Sequence, residues 1–327
     1  MEDVLRRTRE LVESFDDVVR AELPADVEVF DAHVHLGTDI DGMRGDFDEL
    51  LQIQQRYGIT RSFVFCLDEP DRHPGFRAPN DRSLAFAEQS DGALVPFVRL
   101  DLAESPVDEA VRCLDRGARG IKLHPRAQKF LLDDERLAPV FELAAERRVP
   151  ILIHGGRGLP PIADALARLM DAYEPQLIIA HAGIADLAAL ARRFCMRPGV
   201  FFDTSVWSPL DLLDLYRLVS PEQVLYASDY PYGTQPGSLL LALRTARMAG
   251  LDDEQLRAMR CVASCRRAGA AADGPAGAAA RLAPDHVRAD PSVPLDGDTA
   301  PVDAPGGHDR RARARAERLR RARERAS

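Results

Sequence analysis

Five of the eight histidines in this 327-residue chain stand where short apolar runs end. His33 and His35 close the run 27–35, His124 closes 118–124, His154 closes 150–154 and His181 closes 177–181. Lys122 precedes His124 by two residues, and Asp229 ends the run 224–229. Side chains at i and i+2 of a strand point the same way, so His33 and His35 are placed to hold one cation while Val34 faces away. Neutral imidazole is a common ligand of zinc and other first-row transition metals. A catalytic metal site needs protein ligands and an open position, and His154 and Asp229 are the candidates to complete the set. Asp31, two residues before His33, is expected on the same inward face, orienting an imidazole. A lone histidine after an apolar strand is ordinarily a hydrogen-bonded core residue, and an isolated His-x-His says little. The joint pattern of His-x-His, His, His and Asp at successive strand ends carries the reading.

The elements that must position these residues follow from hydrophobic spacing. Eight apolar runs (27–35, 62–67, 94–100, 118–124, 150–154, 177–181, 200–205 and 224–229) alternate with helical stretches at 48–56, 81–89, 107–116, 135–148, 162–173, 186–194, 210–219 and 237–248. The runs are nearly continuous in Val, Ile and Phe, as in parallel strands buried on both faces, and the helices supply the crossovers such strands require. Eight units in about 230 residues fit a closed (β/α)8 TIM barrel, whose catalytic groups sit at the C-terminal strand ends. An open doubly wound sheet would place a Gly-rich phosphate loop after the first strand. Here that strand ends in His-Val-His-Leu-Gly.

Three segments are expected. Residues 1–26 form a helical segment with Leu5, Leu11, Val12, Phe15, Val18 and Val19 at near-helical spacing. The barrel occupies 27–260. Residues 261–327 form a low-complexity tail rich in Ala, Arg, Pro, Gly and Asp, expected to be disordered. The abrupt shift in composition near 261 suggests a reading-frame change or a gene fusion.

Asp31-Ala32-His33-Val34-His35, Gly120-Ile121-Lys122-Leu123-His124-Pro125, Ile153-His154-Gly155-Gly156, Ala180-His181-Ala182-Gly183 and Ser228-Asp229-Tyr230-Pro231 resemble the motifs of the amidohydrolase superfamily. The nearest branch is similar to the aminocarboxymuconate semialdehyde decarboxylase-like group, also called the amidohydrolase 2 family. The resemblance covers about residues 27–250 and breaks near Cys261, where relatives continue a C-terminal helix. It implies that His33, His35, His154 and Asp229 hold one divalent metal, usually zinc. It implies that His181 is the catalytic acid or base, and that Asp229 also accepts a proton in hydrolytic members. In two-metal relatives a fourth-strand lysine is carboxylated and bridges the metals. Lys122 stands at that strand, so it is either such a bridge, with a second metal, or a contact to an anionic substrate or a carboxylate.

Other residues are weaker candidates for substrate contact. Arg99 ends the third run and suits either a substrate carboxylate or a structural salt bridge. His124 shares the face of Lys122, and Trp207 follows the seventh run in a loop that walls the pocket. The stretch 68–80 reads as a long loop, a lid or a substrate-selecting segment, in which His73 is an ordinary loop residue.

A net charge of −9 argues against nucleic acid as a partner. No stretch reaches the roughly 18–20 apolar residues of a membrane span, and the mixed-charge opening lacks the core of a secretory signal. Five scattered cysteines are expected as thiols in a cytoplasmic protein. The expected function is metal-dependent hydrolysis of a small organic, anionic molecule through an acidified water. The alternative within enzymes is nonoxidative decarboxylation of an aromatic or unsaturated acid. The alternative outside them is a barrel that binds without turnover. The resemblance also implies a homodimer or a larger assembly.

Overall fold

A nine-stranded sheet, in the order β2-β1-β3-β4-β5-β6-β7-β8-β9, curls round on itself in the computed structural model, which describes residues 2–24 and 27–259. Eight strands are parallel: β1 (Val29–Thr38), β3 (Ile59–Cys66), β4 (Leu94–Arg99), β5 (Gly120–Leu123), β6 (Ile151–Ile153), β7 (Leu177–Ile179), β8 (Val200–Asp203) and β9 (Val224–Leu225). The ninth, β2 (Arg44–Gly45), pairs antiparallel with the end of β1 and was not expected from the sequence. Closure comes from backbone hydrogen bonds between β1 and the chain after β9. Ala32 N–H donates to Tyr226 O (2.8 Å), Asp229 N–H to His33 O (2.9 Å) and His35 N–H to Tyr230 O (2.7 Å). The fold is the (β/α)8 barrel.

The crossovers are α2 (Phe47–Tyr57), α3 (Arg77–Gln89), α4 (Pro106–Asp115), α5 (Leu137–Arg147), α6 (Ala163–Tyr173), α7 (Leu187–Phe194) and α8 (Pro209–Leu218), with α9 (Gln235–Met248) after β9. Strand alternation sorts the core into two layers. Leu152 and Ile178 point into the barrel with Phe30, Phe63, Phe65 and Phe97. Their neighbours Ile151, Ile153, Leu177 and Ile179 point out to Phe141, Leu166 and Phe194. Val34 packs outward with Leu50 and Tyr230. Gly120 is required on β5 because a Cβ there would lie 2.4 Å from the Phe97 ring.

Before the barrel stands α1 (Glu2–Glu22), fixed by buried Val19 and by Asp16. Arg56 Nη2 and Tyr57 Oη donate to the Asp16 carboxylate at 2.5 Å each. Burial raises the Asp16 pKa, but these hydrogen bonds outweigh it and hold the group below the usual carboxylate value. A depressed folded pKa gives stability that is present above the unfolded pKa and is lost as pH falls through the folded one. Asp16→Asn is therefore expected to melt lower than wild type at pH 7, with the gap closing below about pH 4. A gap in melting temperature that persists at pH 3 would show that the charge is not what docks α1.

The strands end earlier than their apolar runs, so His124, His154, His181 and Asp229 stand just past them rather than on them. Helix α3 begins at Arg77, four residues earlier than the sequence pattern suggests, which shortens the loop after β3. The last described helix, α10 (Asp253–Ala258), is opened by a capping box of Asp252 and Gln255. The tail expected over 261–327 lies outside the described residues, as do Cys261 and Cys265. Cys66, Cys113 and Cys195 are free thiols, and no described helix is long and apolar enough to cross a membrane.

Candidate metal centre and active site

Three side chains meet at the junction of β1 with the end of β9. His33 Nε2 and His35 Nε2 lie 3.2 Å apart, and Asp229 Oδ1 lies 3.3 Å from each. All three residues are buried. Burial, reinforced by the charge of Lys122, holds both imidazole pKa values well below the usual range, so both rings are neutral. Their other nitrogens fix the tautomers: His33 Nδ1–H faces Asp203 Oδ2 at 2.9 Å, and His35 Nδ1–H faces Cys66 O at 3.4 Å. Each Nε2 therefore turns a lone pair toward a carboxylate oxygen, with Lys122 Nζ, 3.3 Å from His33 Nε2, as a positive group beside them. A tetrahedral ion with bonds of about 2.0–2.1 Å separates its ligands by about 3.3–3.4 Å. The triangle has that edge length, so these residues fit a divalent metal, and they leave positions open beyond the three donors.

His154, expected as a further ligand, stands outside this triangle. Its ring stacks on His124 (centroids 4.0 Å apart) and meets His181 edge-on at 4.5 Å. Both its nitrogens are buried without a partner among the described residues. Glycine at 156 leaves room for the ring, since a Cβ there would lie 2.8 Å from His154 Cε1.

Asp31 does not orient an imidazole. It accepts from the backbone N–H of His33 (3.1 Å) and Ser228 (2.9 Å) and from Gln235 Nε2 (2.8 Å), tying β1 to the chain after β9. The cause is a register shift against β3 between Asp31 and Val34, since a bulge breaks simple alternation and re-aims side chains. The orienting carboxylate is Asp203 at the end of β8, which sequence reasoning missed. Its Oδ1 accepts from His181 N–H (2.7 Å), Ser205 N–H (3.1 Å) and Ser205 Oγ–H (2.5 Å). Burial raises its pKa to about 6 against those hydrogen bonds. The signal was present: Asp203 and Ser205 repeat, at a strand end, the i, i+2 spacing of His33 and His35.

His181 sits beside the triangle, its ring 5.1 Å from that of His33. Its Nδ1 contacts Ser205 O at 2.8 Å and so carries the proton, leaving Nε2 as the basic atom. Burial lowers its pKa and the charge of Asp229 raises it, with lowering the outcome. His181 and Asp229 both adopt left-handed backbone (φ 57° and 59°), a conformation uncommon for non-glycine residues and found at functional sites. Burial pushes the Asp229 carboxyl up, against the pull of His181 and Lys122.

Lys122 is buried, with Nζ 3.3 Å from His33 Nε2 and 4.6 Å from the centre of the Phe65 ring. Desolvation brings its pKa down to about 7, although Asp203 and Asp229 oppose the shift. His33, His35, Asp229, His154, His181 and Lys122 open on a cavity of about 750 Å³ that also takes in Arg99, His124 and exposed Trp207. Asp68 reaches the cavity from the loop after β3. His73 of that loop is exposed and lies 3.0 Å from a Glu104 carboxylate oxygen.

A family sequence profile described as Amidohydrolase matches residues 30–261. No curated protein matches the chain. Similar solved structures include a probable 2-pyrone-4,6-dicarboxylic acid hydrolase from Acinetobacter baumannii (13% identity, 71% of this chain and 96% of that one, TM-score 0.54). Another is a 2,6-dihydroxybenzoate decarboxylase from Rhizobium (17% identity, 75% and 98%, TM-score 0.55). A third is a 4-oxalomesaconate hydratase from Rhodopseudomonas palustris (17% identity, 74% and 95%, TM-score 0.53). At these identities the likeness carries the barrel and its strand order, and not a reaction.

Proposed function

The chain belongs to the amidohydrolase family, and we propose that it is a metal-dependent hydrolase of a small organic substrate, with the barrel of 27–260 as its catalytic unit. The observation that carries this reading is the triangle of His33 Nε2, His35 Nε2 and Asp229 Oδ1, with edges of 3.2–3.3 Å. These three would hold one divalent ion, with His154, whose ring nitrogens have no partner among the described residues, as the candidate for a further ligand. Two nitrogens and one carboxylate oxygen suit zinc. Such an ion supplies Lewis-acid polarisation of an oxygen and acidification of water.

The chain's own residues supply the rest. His181 Nε2 takes or returns the proton at the reacting atoms, with Ser205 O fixing its tautomer. Asp229 is the nearest carboxylate to accept a proton, and burial raises its basicity. Lys122 and Arg99 favour an anionic substrate. We assign Lys122 to that role, not to a carboxylated bridge, because the buried corner brings together one triangle of ligand atoms, enough for one ion. A second reading, decarboxylation, has the decarboxylase among the similar folds on its side. In that case His181, first protonated at Nε2, would deliver that proton to carbon as the bond to the carboxyl group breaks and carbon dioxide leaves, and carbon dioxide release from candidate acids separates the two.

Elemental analysis tests the metal centre. We expect about one transition metal per chain, lost in the His33→Ala/His35→Ala double variant. About two per chain would promote Lys122 to a bridge and favour hydrolysis. Folded protein that never met a chelator and still carried no metal would sink the proposal.

A further inference from the structure

We infer that His124 is a positioning residue, whose ring holds His154 in the orientation that lets it join the ion of the His33–His35–Asp229 corner. The inference rests on the proposed function in taking His154 as the further ligand, and it removes His124 from the substrate contacts.

Strand register creates the pair. β5 and β6 run parallel with Leu123 beside Ile153, and His154 N–H donates to Leu123 O at 3.0 Å. The next residue after each of these is a histidine, so two rings leave neighbouring strand ends side by side. They stack with centroids 4.0 Å apart and planes 14° from parallel. Burial lowers the pKa of both, so the rings are neutral and no charge repels across the stack.

The two rings are held by different means. His124 is fixed by hydrogen bonds on ring and backbone. Its Nδ1 accepts from Ala127 N–H at 3.2 Å, its N–H donates to Gln128 Oε1 at 3.0 Å, and its carbonyl accepts from Gln128 N–H at 3.0 Å. His154 has no hydrogen bond at either ring nitrogen among the described residues, although both atoms are buried.

The contrast with the other ligand candidates carries the inference. A ligating histidine ordinarily gives its second ring nitrogen to a hydrogen-bond partner, which fixes the orientation of the ring. His33 has Asp203 for this, and His35 has Cys66 O. His154 has no such partner among the described residues, and the terminal torsion of a histidine is intrinsically soft. Packing must therefore do what a hydrogen bond does elsewhere. His181 meets the ring at 67° with centroids 4.5 Å apart, and Gly156 leaves room for it. His124 covers a face of the ring. A flat ring at 4.0 Å blocks rotation about the Cβ–Cγ bond, because turning would drive a ring edge into the stacked face. The stack fixes the ring while leaving both nitrogens uncommitted, so one is free for the ion.

Zinc affinity of the full-length chain, measured by competition against a chelator, tests this with two variants that split what His124 does. His124→Phe keeps a flat ring and loses the acceptor for Ala127 N–H. His124→Asn keeps an accepting oxygen and loses the ring. The Phe variant is expected to bind zinc within about twofold of wild type, and the Asn variant about tenfold more weakly or worse. Equal loss in both would show that the hydrogen-bonded turn matters and the stack does not, and would overturn the inference. Wild-type affinity in both would also overturn it and return His124 to the substrate. If His124→Asn does not fold, His124→Leu decides, since it fills the space without a flat ring; wild-type affinity there would overturn the inference. Modification of histidines by diethyl pyrocarbonate, located by peptide mass, separates this inference from the proposed function. Zinc is expected to protect His154 in the wild type. Zinc bound with His154 still reactive would overturn the positioning role and leave the triangle standing. No zinc bound by the wild type would overturn the proposed function and this inference with it.

Discussion

His181→Ala is expected to lower turnover by about 10²- to 10⁴-fold, the usual contribution of a positioned acid or base, while leaving metal content unchanged. The geometry separates the two roles. The atoms that meet at 3.2–3.3 Å belong to His33, His35 and Asp229, and no atom of His181 is in that triangle. What His181 offers is a neutral ring in the same cavity, with Nδ1 committed to Ser205 O at 2.8 Å and Nε2 left to exchange a proton. Its left-handed backbone at φ 57° is a cost the fold bears to aim that ring. Steady-state kinetics and elemental analysis on one preparation decide the matter. Metal loss in step with activity would move His181 into the ligand set. Turnover within about tenfold of wild type would remove it from the proton transfer altogether.

The barrel was legible because its strands are buried on both faces, and burial on both faces leaves nearly continuous Val, Ile and Phe. Leu152 inside and Ile151 and Ile153 outside are all apolar for that reason. Strand ends were legible for the complementary reason: a polar side chain that interrupts such a run marks the edge of the core. That logic located His33, His35, His124, His154, His181 and Asp229 in one cavity. It did not rank them, because rank depends on where each ring turns after its strand stops. His154 stacks on His124 instead of joining the triangle, and nothing in the spacing of single histidines distinguishes it from His181. Asp31 misled the reading because period-two alternation assumes an unbroken ladder, and β1 carries a register shift just there. Arg99 was ambiguous in sequence, since a salt bridge needs a partner that only tertiary packing reveals; Asp68 stops at 3.9 Å.

Asp203→Asn is expected to weaken metal affinity by about 10- to 100-fold, the usual effect of removing the partner that orients a ligating histidine. The substitution preserves shape and alters only which atoms accept. In the wild type both carboxylate oxygens accept: Oδ2 from His33 Nδ1–H at 2.9 Å, and Oδ1 from His181 N–H and from the N–H and Oγ–H of Ser205. An amide has one accepting oxygen and one donating nitrogen. If its nitrogen faces the three donors of His181 and Ser205, donors oppose donors in a buried site. If it faces His33, the ring must shift its proton to Nε2 to accept, and the lone pair is lost from the corner shared with His35 and Asp229. Neither arrangement keeps both the His181 turn and the metal-facing His33. Competition against a chelator of known affinity measures the change, with circular dichroism confirming the fold. Ser205→Ala is the companion variant, for it removes one donor and leaves the carboxylate to His33, so its affinity loss should be smaller. Affinity within about twofold of wild type in Asp203→Asn would mean that His33 keeps its tautomer without Asp203. The β8 carboxylate would then serve only to hold the His181 turn.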